Sequence, residues 1–206
     1  MRPAPQSIDD RGAVETRGQV LVRTLACRVA LPEMSRSIHP PILETRTLLW
    51  PDEAACESWA AALAGAPGAR DALIELHGTL GAGKTTFTRH LLRALGVQGR
   101  IKSPSYAVVE PHEAPGLAAW HFDFYRFSDP REWEDAGFRD IFAGPGLKLV
   151  EWPEHAGPLL PVPDLRLHIE PLDESQRSVR AEALTARGAA LLLAAAAAPG
   201  SGGHEA

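Results

Sequence analysis

An α/β fold built around a phosphate-binding loop is predicted by three features of the sequence. The octapeptide Gly78-Thr79-Leu80-Gly81-Ala82-Gly83-Lys84-Thr85 fills every fixed position of G-x-x-x-x-G-K-[ST]. It sits between a short apolar run, residues 72–77, and a segment with helical spacing of Phe87, Leu91, Leu92 and Leu95. Strand-like and helix-like stretches then interleave along the chain, the pattern of an α/β domain.

The elements follow in order. Residues 43–49 read as a strand, and Pro51-Asp52-Glu53 opens a helix, with proline in the first turn and acids at the positive dipole end. This helix runs to about Leu63 and stops at Gly65-Ala66-Pro67-Gly68. Strand 72–77, the glycine loop and helix 84–95 come next, the last ending at Gly96. Further strands are predicted at 106–110, 117–124, 147–151, 165–169 and 178–184, with a short helix near Asp129-Pro130. The alanine-rich residues 186–198 suit a terminal helix, and 199–203 (Pro-Gly-Ser-Gly-Gly) should fray.

Three regions are predicted. Residues 1–40 carry four prolines, with Pro41 directly after them, show no sustained periodicity and read as a mobile extension, or as the product of a start codon placed upstream of Met34. Residues 41–186 form the phosphate-loop domain, and 187–206 an Ala/Gly-rich tail. At 206 residues one compact domain is the natural expectation.

Composition excludes several classes. The longest apolar run, Ala189–Ala198, is ten residues, against about 20 needed to span a bilayer. Arg23 and Arg28 interrupt the apolar stretch near the start, so no secretory signal is read there, and Asp9, Asp10 and Glu15 speak against a transit peptide. Two cysteines, Cys27 and Cys56, are too few for a disulfide framework or a four-ligand zinc site and point to a reducing, cytoplasmic setting. The net charge of −5 conceals an uneven distribution: residues 1–40 hold six arginines against four acids, so 41–206 carry −7. A body this acidic argues against autonomous nucleic-acid binding.

The loop carries the chemistry. Its glycines let successive N–H groups turn inward around phosphates, and the following helix adds its positive end. Lys84 then reaches the β- and γ-phosphates and the Thr85 hydroxyl can ligate Mg²⁺. Guanine recognition would call for an Asn-Lys-x-Asp element; the chain contains no asparagine, so ATP is the expected nucleotide. A second carboxylate near the metal is also required. Asp123 and Glu151 are both candidates, each at the carboxyl end of an apolar strand. Ser103-Pro104-Ser105-Tyr106 occupies the place of a switch-like loop. His121 reads as a packed strand-end histidine and Trp152 as a core tryptophan.

Taken together, Gly-x-Leu-Gly-Ala-Gly-Lys-Thr-Thr-Phe at 78–87, Lys-Ser-Pro-Ser-Tyr at 102–106, His-x-Asp-x-Tyr-Arg at 121–126 and Glu-Trp-Pro-Glu at 151–154 resemble the TsaE (YjeE) family over residues 43–185. The resemblance implies a single P-loop NTPase-like domain with a mixed central sheet flanked by helices. It implies an ATPase that supports threonylcarbamoylation of the adenosine 3′ of the tRNA anticodon, docks on the TsaB–TsaD heterodimer and meets tRNA only through those partners. It further implies that Thr85 and Glu151 ligate Mg²⁺, and that Gly81, Ala82, Gly83, Lys84, Thr85 and Thr86 hold the ATP phosphates. Asp123 becomes the catalytic-site acid, Ser105 part of the switch loop, Trp152 the wall beside Glu151, and Arg177 a nucleotide contact. Lys84, Asp123 and Glu151 would carry catalysis. The chain departs from the family pattern at Thr79, where aspartate is usual, and at Ser105, where threonine is usual.

Two other functions are compatible with the same loop. A small-molecule kinase would use an arginine-bearing lid, for which Arg126, Arg131 and Arg139 are available. A nucleotide-switched binding module would bind partners with ATP and release no phosphate.

Overall fold

A computed structural model describes residues 40–127, Trp133 and residues 137–196. All of these belong to the second of the chain's two units, Met1–Arg36 and Ser37–Ala206. The expected extension therefore lies outside the described residues, apart from Pro40. The helix expected near Asp129-Pro130 lies outside them as well.

Seven strands form one mixed sheet in the order β1-β7-β6-β2-β5-β4-β3. They are β1 Glu44–Trp50, β2 Leu73–His77, β3 Val109–Ala114, β4 Leu117–Asp123, β5 Leu147–Glu151, β6 Leu165–Pro171 and β7 Arg177–Ala183. The pairs β2/β5, β2/β6 and β4/β5 are parallel, while β1/β7, β6/β7 and β3/β4 are antiparallel. Central β2 is buried from Leu73 to Leu76, with Ile74 and Leu76 on one face and Leu73 and the ion-paired Glu75 on the other, as expected of a strand covered on both sides. Edge strand β1 instead alternates half-buried with exposed residues.

Helix α1, Glu53–Ala64, begins at Asp52, whose carboxylate accepts the Ala55 N–H at 2.8 Å. Pro51 therefore lies just outside the helix rather than in its first turn. Cys56, Trp59, Ala60 and Leu63 are buried at i, i+3, i+4 and i+7. Helix α2, Lys84–Ala94, contributes Phe87, Leu91 and Leu92 to the same layer. A stacked pair, Trp50 and Phe87 at 5.9 Å, is capped by Trp59.

Beyond these, α3 is Phe138–Ala143, α4 is Pro153–Ala156 and α5 is Ala186–Ala196. Helix α5 covers the first half of the predicted alanine-rich tail, and it buries Leu191, Leu192 and Ala195 against α1 and the sheet. Gly188 permits this docking, because a Cβ there would meet the Asp164 carbonyl oxygen at 1.9 Å. The other sheet face carries an aromatic cluster of Phe122, Phe124, Phe127, Trp133 and Phe138.

Strand β3 differs from the expected 106–110. Residues 105–107 form a turn, in which the Val108 N–H donates to the Pro104 carbonyl at 2.7 Å, and pairing begins only at Val109. It continues through Pro111, which the sequence reading had placed beyond the strand. An edge strand tolerates proline because one of its sides has no ladder to lose.

Candidate active site around the glycine loop

The loop connects the end of β2 to α2. Gly78, Gly81 and Gly83 have φ of 143°, 79° and 112°, in the left-handed range that glycine alone enters freely. At Gly78 the need is doubled: a Cβ would lie 2.3 Å from the Ile169 carbonyl oxygen on β6. Ala82 is fully buried beneath the loop, and its N–H donates to the Thr79 carbonyl at 3.1 Å.

Lys84 folds inward and is 4% exposed. Its ammonium donates to the carbonyls of Gly78 at 2.6 Å and Thr79 at 2.9 Å, and lies 3.9 Å from the centre of the Trp152 ring. Burial pulls its pKa below the usual lysine value, against the opposing charges of Glu151, Glu154 and Asp123. Trp152 adopts φ 55°, a costly conformation for a bulky side chain, and also packs on Tyr125 at 5.0 Å.

The Thr85 hydroxyl meets both oxygens of Glu151, at 2.8 and 3.1 Å. Glu151 ends β5 and is 3% exposed. Its Oε1 is also 2.8 Å from Nε2 of His121, a residue with no exposed surface. Asp123 pairs in register with Glu151 at the end of β4. Its carboxylate accepts from the Ser103 hydroxyl and from the Tyr125 N–H at 2.9 Å. The structure thus brings Lys84, Thr85, Asp123 and Glu151 around one loop. Ser105 stands one step back, 3.0 Å from Ser103 between hydroxyl oxygens.

Thr86 and Arg177 lie on the other side of the loop. Arg177 Nε donates to the Ala82 carbonyl at 2.9 Å, and Nη1 donates to the carbonyls of Asp173, Glu174 and Gln176. Both residues line a cavity of about 280 Å³, together with Trp50, Glu53, Cys56 and Gly83. Cys56 is no nucleophile there, since burial first and then Glu53 and Glu57 push its thiol up to about 12.

A hydroxyl and a carboxylate are hard oxygen donors, so Thr85 and Glu151 fit Mg²⁺. Among the described residues no group of three or more His, Cys, Asp or Glu is placed to hold a metal. A cation that takes one or two protein ligands and completes its shell with phosphate oxygens and water needs no such cage. No helix among them is long and apolar enough to cross a membrane. Two residues of the site escaped the sequence reading. Ser103 was treated only as part of the loop, and His121 only as packing. Strand alternation puts 121 and 123 on one face, and this was the available signal.

The family model described as threonylcarbamoyl adenosine biosynthesis protein TsaE matches residues 50–179. The tRNA threonylcarbamoyladenosine biosynthesis protein TsaE of Haemophilus influenzae is 42% identical over 104 residues, 50% of this chain and 66% of that protein. The protein of the same description from Bacillus subtilis is 35% identical over 107 residues, 52% and 66% of the two chains. The Aquifex aeolicus one is 40% identical over 110 residues, 52% and 74%. The matched stretch thus spans just under two thirds of the Haemophilus and Bacillus proteins. In fold, the crystal structure of Bacillus subtilis YdiB superposes with a TM-score of 0.61 at 24% identity, covering 74% of this chain and 95% of that one. With its glycine loop, its paired strand-end acids and a family match over more than half its length, the chain belongs to the TsaE family of threonylcarbamoyl adenosine biosynthesis proteins.

Proposed function

We propose that this chain binds ATP with Mg²⁺ and hydrolyses it in the cytoplasm, as an accessory to threonylcarbamoylation of the adenosine 3′ of the tRNA anticodon. It works on the TsaB–TsaD heterodimer and meets tRNA only through that complex, which suits a body of charge −7 over residues 41–206. One observation carries the ATPase reading: the Thr85 hydroxyl bonded to both oxygens of Glu151, next to a buried loop lysine.

The residues divide the work. The amides from Gly81 to Thr86 and the N-terminus of α2 cradle the phosphates, and the ~280 Å³ cavity beside Thr86 and Arg177 takes the nucleoside. Lys84 exchanges its two loop carbonyls for phosphate oxygens and holds the charge that builds on them. Thr85 and Glu151 would hold the cation, which when bound neutralises charge on the transferring phosphoryl group. Asp123, oriented by Ser103 and the Tyr125 N–H, is placed to orient the attacking water and accept its proton. The side chain at Thr79 is exposed and only its carbonyl reaches Lys84, so the missing family aspartate leaves the amide cradle intact.

The test is phosphate release from [γ-³²P]ATP by the isolated chain and by the chain mixed with a TsaB–TsaD pair. Slow release alone and several-fold stimulation by the pair are expected. ATP-dependent association without release would instead favour the switched binding module, and label on a small acceptor would favour a kinase.

A further inference from the structure

Glu151 has two oxygens in unequal surroundings. Oε1 lies 2.8 Å from both Thr85 Oγ1 and His121 Nε2, whereas Oε2 has only Thr85, at 3.1 Å, among the described residues. The carboxylate can only accept, so its contact with His121 requires hydrogen on Nε2. The opposite ring atom, His121 Nδ1, is buried and has no hydrogen-bond partner among the described residues. Three strands build this arrangement: His112 of β3 stacks on His121 of β4 at 6.4 Å, and His121 reaches Glu151 of β5. With no exposed surface, the His121 ring has little freedom to turn.

We propose that His121 is a positioning residue for the cation site. Its Nε2–H pins Oε1 of Glu151, so that when the Thr85 hydroxyl turns to a metal, Oε2 is the oxygen left facing it. The carboxylate then need not find its rotamer at the moment the nucleotide arrives. Outer partners of this kind, which orient a ligand carboxylate, typically alter metal affinity by about 10–100-fold. The inference rests on the nucleotide reading above and extends it to a residue that touches neither phosphate nor cation.

The experiment compares the full-length wild type with His121→Phe, which keeps a ring but loses the donor, and His121→Gln, which returns a donor near Nε2. Mn²⁺ serves as the probe, its free fraction being read by electron paramagnetic resonance in the presence of ATP. ATP binding is measured separately with chelator present. His121→Phe should bind Mn²⁺ about 10–100-fold more weakly while keeping its metal-free ATP affinity, and His121→Gln should recover most of the loss. Equal Mn²⁺ affinity in His121→Phe and wild type overturns the inference and leaves the nucleotide reading standing. Failure of the wild type to bind ATP overturns that reading instead. If His121→Phe does not fold, ¹⁵N NMR of the wild-type histidines decides: an Nε2–H tautomer at His121 supports the inference, and an Nδ1–H tautomer overturns it.

Discussion

The ammonium of Lys84 lies 3.9 Å from the centre of the Trp152 indole ring, held there by a backbone at φ 55°. A desolvated cation–π contact is worth about 1–2 kcal/mol, comparable to the strain at Trp152. Trp152→Ala should therefore open Lys84 to water, return its pKa toward the ordinary lysine value and weaken ATP binding about 5–20-fold. Trp152→Phe should keep most of the affinity. Calorimetric titration with ATP separates the two.

Lys84→Ala removes the side-chain cation of the glycine loop, the one proposed above to meet the phosphates. ATP binding should fall at least about 100-fold while the thermal transition stays within a few degrees, because both partners of the ammonium are carbonyls that water can serve. Equilibrium dialysis together with a melting curve checks both parts.

At Glu151 the expected division is the reverse. Glu151→Ala should lower phosphate release at least about 100-fold while ATP affinity in chelator changes only a few-fold. Unchanged release in the presence of partners would remove Glu151 from the cation site.

Val108 has φ 66°, in a region that β-branched residues avoid, at the point where the Ser103–Tyr106 segment hands over to β3. Its carbonyl accepts the Asp123 N–H at 2.9 Å, so the strained residue supports the backbone of a site acid. Val108→Gly should relieve about 1 kcal/mol and raise the melting temperature by about 2–4 °C. Scanning calorimetry reads the shift, and a lower melting temperature would mean that the valine side chain outweighs its strain.

His168 has its pKa lowered to about 4 by burial first, and then by the charges of His77, Arg180 and Arg166 against Glu170. The unfolded chain, with histidine near 6.5, takes up its proton before the folded one does. Stability from this residue is therefore complete above pH 6.5, falls as pH drops toward 4, and is flat below. Urea midpoints at pH 7 and pH 5 should differ in that direction. His168→Gln should narrow the gap, leaving the smaller share of His112, whose pKa is likewise lowered by burial.

Local rules reached most of this fold and stopped at identifiable places. The glycine loop, β2 and α2 were legible because the phosphate motif, an apolar run and a 3.6-residue period coincide within about twenty residues. Strand β3 was misplaced because Pro111 looks like a terminator unless the strand is known to lie at an edge, which is a property of the whole sheet. Helix α4 was missed because four residues carry no period, and its entry is set by the left-handed Trp152. In the site, Thr85, Asp123 and Glu151 were found from strand ends and a motif. His121 and Ser103 were undervalued because each acts through a carboxylate it touches, 30 and 20 residues away in sequence.

Pro111 has a last consequence, for assembly. A strand at the rim of a sheet offers its free amides and carbonyls to any extended chain that arrives, which is the first step toward fibrils. Pro111 has no amide hydrogen, and it stands within the six residues of β3 where such a chain would have to pair. The same residue that concealed the strand in the sequence removes one donor from the rim where, among the described residues, the sheet ends.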